Sequence, residues 1–518
     1  MKSKESISSS LLLWNQRSTQ VSIEETYDIK VWPITNILND GPINFNIPSQ
    51  PKGMMSDIHI CTKIKLQKDG GEITRRENLV SFTNNFANSL WGQVDVQVDD
   101  RVDITQSMRN AYAYQTFFNH VLNTESTHTD YLFHNELFKM DEAITKDLEE
   151  SERTFLTWNK NIDIEKDIDD SGDEKTPEEK KAIVDRVKDI IYDYDRNDIF
   201  NSIREIHRGL GYTPHLTIGL IKKYFNLITN GYIPIIQNVA ATDRVKSLNR
   251  GESITLHSKL QCPLFNTSKR LPTDMKIRIS LTKNSDDFYL LCFGDYSVYI
   301  EDCYLIVTYY RPRDSILQLI EQHIQKEPAC YGISRPEIIV KPISNTGRII
   351  RLTDIFHDKI PPYAFFCLQK SSDFEGKSRS NPYIFIPFKK FQFFLNGTPY
   401  FKDPLEVNSV SQITEDDYIY SGYGEFLRQL YETVGKNLRG NCLINSSNFH
   451  LNFMVGMSFG ADRSSLADGH LNLQEQASTY LEIDMGINTV PSDMVLIVYA
   501  LFDRQILIDR NRKIQIIE

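Results

Sequence analysis

Along most of this chain apolar and polar residues alternate in short runs, the period-two signature of strands with one face buried. Residues 27–33 (YDIKVWP), 44–48 and 58–66 (IHICTKIKL) follow it, as do Val94, Val96 and Val98 between Asp95, Gln97 and Asp99. Met275, Ile277, Ile279 and Leu281 alternate in the same way with Lys276, Arg278, Ser280 and Thr282. Turn chemistry separates the runs at Asp40-Gly41-Pro42, Asp69-Gly70-Gly71 and residues 284–287. Asn396-Gly397, after Phe391, Phe393 and Leu395, is a hairpin signal. Two runs, 303–310 (CYLIVTYY) and 494–502 (MVLIVYALF), are too apolar to alternate and predict strands buried on both faces. Leu305-Ile306-Val307 and Leu496-Ile497-Val498 hold equivalent places in these two runs. The pattern predicts two β-domains, each ending in a buried strand, built as sandwiches or barrels rather than parallel α/β sheets.

Two segments break the rhythm. Between 159 and 198 the chain turns acidic (DIEKDIDDSGDEK) and then helical (TPEEKKAIVDRVKDIIYDY). Thr176 is placed as N-cap, Pro177 as first helical residue and Glu179 as the partner of a capping box. Ile183, Val187, Ile190, Ile191 and Tyr194 line one face of that helix. This reads as an insertion in the first β-domain, spanning about 140–236. Pro312 and the helical run 316–322 (ILQLIEQ) mark the crossing between domains. The division is then an N-terminal arm (1–25), a first domain (26–312), a helical linker (313–325) and a second domain (326–518). The arm is Ser-rich around Leu11-Leu12-Leu13-Trp14, either a disordered end or a segment that docks on a neighbour through Trp14.

Composition narrows the function classes. With 518 residues the chain exceeds what one core usually serves. Its 28 Phe and 25 Tyr favour sheets and large contact surfaces. A net charge of −11 argues against a protein that coats nucleic acid over its whole surface. The seven cysteines are scattered, never in CxxC spacing and mostly inside apolar runs, which predicts buried free thiols and a reducing compartment. No signal peptide is evident, and no apolar stretch reaches the roughly 18 residues of a membrane span. The sequons at Asn266, Asn396 and Asn445 are then accidental.

Candidate chemistry is sparse. Asp167, Asp169, Ser171, Gly172 and Glu178 fall at calcium-loop positions, but Glu174 and Pro177 break the pattern and no amphipathic helix precedes it. It reads as a solvated acidic loop, with a calcium site as the alternative. His120, His128 and His134 cluster at spacings that match no metal template and read as surface or packing residues. Gly209-Leu210-Gly211 lacks the strand and third glycine of a dinucleotide loop. Arg504, Arg510, Arg512 and Lys513 are interleaved with acids and read as a solvated face, contact with an internal polyanion being the other reading. No catalytic, cofactor-binding or metal-ligating residue is assigned, and the chain is expected not to be an enzyme.

In its motifs the chain resembles the hexon-like major capsid proteins of Maverick/Polinton-type elements and related animal DNA viruses. The residues that carry the likeness are Trp32-Pro33, 41–45 (GPINF), 88–91 (NSLW), 111–114 (AYAY), Asp286-Asp287-Phe288 and 299–302 (YIED). In the second half they are 381–385 (NPYIF), Asn396-Gly397 with Pro399, and 498–500 (VYA) running to Ile508-Asp509. The chain departs from the family at the acidic-helical insertion and at Cys303, where alanine is expected. The resemblance implies an all-β fold of two jelly-roll sandwiches side by side, a double jelly roll. It implies a homotrimer that tiles an icosahedral capsid with neighbouring capsomers, a single jelly-roll penton and minor capsid proteins around double-stranded DNA. It further implies a place in the virion, with synthesis in the host cytoplasm and assembly there or in the nucleus, and no cofactor. A minor capsid or receptor-binding protein, or a lectin-like or glycan-processing β-sandwich, is the alternative reading.

Overall fold

A computed structural model describes residues 20–37, 41–68, 80–98, 102–141, 240, 244, 252–292, 296–344, 347–356, 359–377, 381–407, 423–437, 442–446, 448–449, 451–460, 471–472, 476–486 and 493–517. The acidic loop, its helix and the Gly209 turn lie outside the described residues, as does the N-terminal arm as far as Thr19.

Strands of the first half are β1 (Ile23–Val31), β2 (Ile43–Ile47), β3 (Met54–Lys68), β4 (Val80–Phe82), β5 (Trp91–Val98), β6 (Val102–Asp103), β7 (Ile254–Lys259), β8 (Ile277–Lys283), β9 (Leu290–Cys292) and β10 (Tyr296–Pro312). Helices α1 (Ala111–Asn123) and α2 (Thr129–Glu136) lie between β6 and β7, and α3 (Asp314–Lys326) follows β10. In the second half come β11 (Ala329–Ile343), β12 (Ile349–Thr353), β13 (Tyr363–Lys370), β14 (Lys390–Leu395), β15 (Thr398–Pro399) and β16 (Leu405–Glu406). Helix α4 (Gly424–Asn437) and strands β17 (Val455–Ser458), β18 (Thr479–Asp484), β19 (Met494–Ile508) and β20 (Ile514–Ile517) complete it.

The pairing order establishes the architecture. One sheet of the first half runs β1-β10-β3-β7 and the other β2-β8-β5-β6, all antiparallel where they pair. The second half gives β11-β19-β13-β17 and β12-β18-β14-β15. Setting aside the short ribbon β4-β9 and the added strands β16 and β20, each half orders its eight strands first-eighth-third-sixth and second-seventh-fourth-fifth. That is the jelly-roll arrangement, made twice. The all-β double jelly roll expected from the sequence is therefore the fold.

Alternation placed the strands because burial follows it. Val94, Val96 and Val98 of β5 are buried while Gln93, Asp95 and Gln97 are not. At the β14-β15 hairpin Asn396 and Gly397 have φ of 48° and 77°, the left-handed pair a two-residue turn requires. One expectation is corrected. Residues 303–310 are not buried on both faces: Cys303, Leu305, Val307 and Tyr309 are buried, whereas Tyr304, Ile306, Thr308 and Tyr310 are only half-buried. Residues 494–502 of β19 are buried without a break, as expected. Phe366 of β13 packs inward against Phe391 and Phe393 of the facing sheet, so its partner Val498 faces inward and Tyr499 outward. The outward row of β19 must therefore be covered by something outside its own sandwich.

Candidate functional site

What covers β19 is the wedge between the two rolls. Helix α1 (AYAYQTFFNHVLN) is apolar and aromatic over most of its surface, with Gln115, Asn119 and Asn123 as a narrow polar stripe, and nearly all of it is buried, from Ala111 through Phe118 and again at His120, Val121 and Leu122. A helix whose aromatic surface is this extensive must be enclosed, and both sandwiches contribute to its cover. Phe118 stacks on Tyr499 and Phe385 at 5.0 and 5.7 Å, and Phe117 stacks on Tyr383 at 4.2 Å. The Tyr114 hydroxyl lies 2.8 Å from Gln369 Oε1 and 2.9 Å from the Pro382 carbonyl. The hydroxyls of Tyr383 and Ser89 meet at 2.5 Å. Burial pushes the Tyr114 and Tyr383 pKa values upward, so both phenols stay protonated.

Polar side chains also seal the seam. Edge strand β11 has one free backbone edge, and the amide of Gln106 completes it. Its Oε1 accepts from Ile338 N at 2.8 Å and its Nε2 donates to Ile338 O at 2.9 Å, as a neighbouring strand would. Gln115 donates to Pro336 O and to Gln106 Oε1, both at 3.1 Å. Arg244, wholly buried, donates to Asp141 at 2.7 Å and to the carbonyls of Phe82 and Lys139. Asp141 in turn accepts from Asn381 of the second roll at 2.8 Å. The buried charge is thus paired and hydrogen-bonded on every side the structure describes, which is what makes it tolerable. Gly376 (φ +69°) meets Phe288 so closely that an added Cβ would sit 2.7 Å from the Phe288 Cβ. Gly376→Ala is expected to destabilise by about 1–2 kcal/mol from backbone strain alone, with the clash added. A urea titration with an unchanged midpoint would show that the two rolls are not in contact there.

The residues singled out by sequence do not converge. His120 pairs with Glu136 at 2.8 Å inside the core, and Glu136 also accepts from Asn88 at 2.7 Å. His128 is exposed beside Glu125, and the ring of His134 packs on Phe133. Among the described residues no group of three or more His, Cys, Asp or Glu is placed to hold a metal. The basic C-terminal residues are not a single solvated face, which corrects that expectation. Arg504 is buried, and Arg512 donates to Glu321 of α3 at 2.6 Å and to the Thr273 carbonyl at 2.7 Å. Only Arg510 and Lys513 of the four are exposed. Burial leaves Cys61, Cys262, Cys303 and Cys367 as free thiols, pushing the pKa of Cys61 up to about 11 and that of Cys303 and Cys262 up to about 12. No described helix is long and apolar enough to cross a membrane.

Missed by sequence reasoning was the role of α1. Residues 111–114 entered only as part of a family likeness, because the narrow polar stripe of Gln115, Asn119 and Asn123 is a weak helical signal among so many aromatics. Neither Gln106 nor Gln115 carried any signal of a part in the seam.

No family model matches the chain, and no curated protein does. Solved structures do. A chain of the Sputnik virophage structure aligns with a TM-score of 0.53 at 10% identity, over 100% of this chain and 93% of that one. The Faustovirus major capsid protein aligns with a TM-score of 0.52 at 8% identity, over 96% and 92% of the two chains. At such identities the likeness is one of fold, and it extends through both rolls.

Proposed function

We propose that this chain is the major capsid subunit of an icosahedral DNA virus or virus-like element, three copies forming a pseudo-hexagonal capsomer. The observation that carries the reading is the duplication itself. Two rolls of identical strand order, locked side by side by a buried wedge, present six similar units when three chains associate in a closed ring. The whole-length likeness to the Faustovirus major capsid protein supports it, as does the sequence resemblance described above. In this reading the protein is structural rather than enzymatic. The capsomers abut one another and a single jelly-roll penton, and the shell encloses double-stranded DNA without reading its sequence.

Light scattering on the purified protein is expected to give about 180 kDa, three chains of 60.0 kDa. Negative-stain images of that species are expected to show a six-lobed outline. A monomer at micromolar concentration in moderate salt would overturn the proposal.

A further inference from the structure

The free edge of β11 is closed at Cys330, Pro336 and Ile338 and open between them. The strand pairs with β19 from Ala329 to Ile343 without a bulge, so every second residue counted from Ile338 turns its backbone groups to the free edge. Gln106 takes both groups of Ile338, Gln115 takes the Pro336 carbonyl, and Lys269 Nζ donates to the Cys330 carbonyl at 2.7 Å. Pro336 has no N–H to satisfy. That leaves Gly332 and Ser334. Among the described residues nothing bonds the N–H or C=O of either on that side. Unpaired edge groups are a template for another strand, and a glycine in the row lets a second backbone come close.

Both open residues line a cleft of about 820 Å³ whose lining is shared by the two rolls. All three amides of the polar stripe of α1, Gln115, Asn119 and Asn123, line it too, with Gln261 and Asn266 from the segment after β7. A largely apolar helix thus brings its polar residues to this one cleft. Asn119 and Asn266 donate to Gln261 Oε1 at 3.0 and 3.1 Å, which fixes the three amides against one another. Gln115, only 7% exposed, is oriented by its bonds to Pro336 O and Gln106 Oε1. Among the described residues Gln115 Oε1, Asn119 Oδ1 and Gln261 Nε2 are left without a partner. The lysines of the cleft are engaged, Lys259 with Asp57 at 2.6 Å and Lys269 with β11, so uncharged donors and acceptors are what it offers most. A ligand that presents alternating N–H and C=O groups at strand spacing, about 3.4 Å per residue, is an extended polypeptide. Two open rungs two residues apart call for a segment of about three to five residues, and the cleft is in the size range of sites that hold such a ligand.

We propose that the cleft is a peptide-binding site: an extended segment of a second protein adds to β11 at Gly332 and Ser334, and the amides of α1 and Gln261 bond its remaining backbone groups. Recognition of this kind reads main chain before side chains, so the site takes its partner by extended conformation more than by a fixed sequence. The whole site lies within one chain, and no second copy is needed to build it.

The test uses the full chain and a phage-displayed library of linear octapeptides, from which a selected peptide is synthesised with a fluorescein label. Ser334→Pro removes one edge N–H and leaves the β19 ladder intact, as Pro336 already does on the same edge. It is expected to weaken binding of that peptide about tenfold or more in fluorescence anisotropy. Ser334→Ala, which removes only the hydroxyl, is expected to leave the affinity unchanged. N-methylation of the peptide at alternate residues, with its side chains kept, is expected to weaken it as much as Ser334→Pro does. Circular dichroism melting reports whether each variant folds. Should Ser334→Pro fail to fold, hydrogen exchange on the unmodified protein decides: bound peptide is expected to slow the amides of Gly332 and Ser334 and to leave those of β1 unchanged. A library that yields no binder, a peptide whose binding survives both Ser334→Pro and N-methylation, or one that slows no amide of β11 would overturn the site. The amides of α1 would then serve only to close the seam.

Discussion

Ile497→Asp is expected to abolish soluble expression, and Val307→Asp to do nearly the same. Both residues are fully buried, Ile497 on the outward row of β19 and Val307 on the inward row of β10. A carboxylate there has no partner and must either pay desolvation or stay protonated, at a cost of several kcal/mol. That is comparable with the whole stability of an ordinary domain, about 5–15 kcal/mol. Ile497 is the harsher site because β19 is enclosed on both faces, so no side chain movement reaches water. Ile306→Asp is the informative contrast: one residue away on β10, it lies on the half-exposed row and should leave the isolated chain folded. Soluble yield and urea midpoint measure all three. Soluble Ile497→Asp protein with a native midpoint would mean that β19 is not a core strand.

Phe118→Ala is the second large effect. Its ring is wholly buried and stacks on Tyr499 and Phe385, both in the other roll. Truncating a buried Phe costs about 3–5 kcal/mol through lost contact and residual cavity. Because the cavity would open at the seam, amide exchange should quicken in both rolls, including β13 and β19, and not in the first roll alone. Phe118→Leu should recover part of the loss by refilling volume. Exchange that changes only in residues 102–141 would show that the helix serves its own roll and does not join the two.

Most of the strand plan was legible because one face of each strand meets a core and the other does not. Val94, Val96 and Val98 announce β5 by that difference alone, and Asn396-Gly397 announces its hairpin by backbone chemistry. The errors fall where partners outside the sandwich set the composition. CYLIVTYY looked buried on both faces because its outward row is largely apolar, yet among the described residues that row is only half-covered. Residues 111–123 show only a narrow polar stripe because both rolls enclose most of their surface, and tertiary surroundings do not appear in a one-dimensional pattern. Arg504 looked solvated for the opposite reason, since acids adjacent in sequence said nothing about the burial imposed by the sheet around it. Function was legible only as an absence of catalytic motifs joined to a family likeness. The seam itself, with Gln106 standing in for a strand, could be found only in three dimensions.

That seam has a mechanical consequence. Domains in one chain usually move against each other, because their shared surface is small and wet. Here an element that belongs to the first roll by sequence belongs to both by burial, and close-packed interiors transmit strain instead of yielding to it. Arg512 adds a second tie at the far side of the seam, from the second roll to Glu321 of the linker helix and Thr273 of the first roll. The chain should therefore deform as one stiff plate. A shell built from such plates takes up curvature and internal pressure at the joints between chains, and each plate keeps its shape wherever in the lattice it sits.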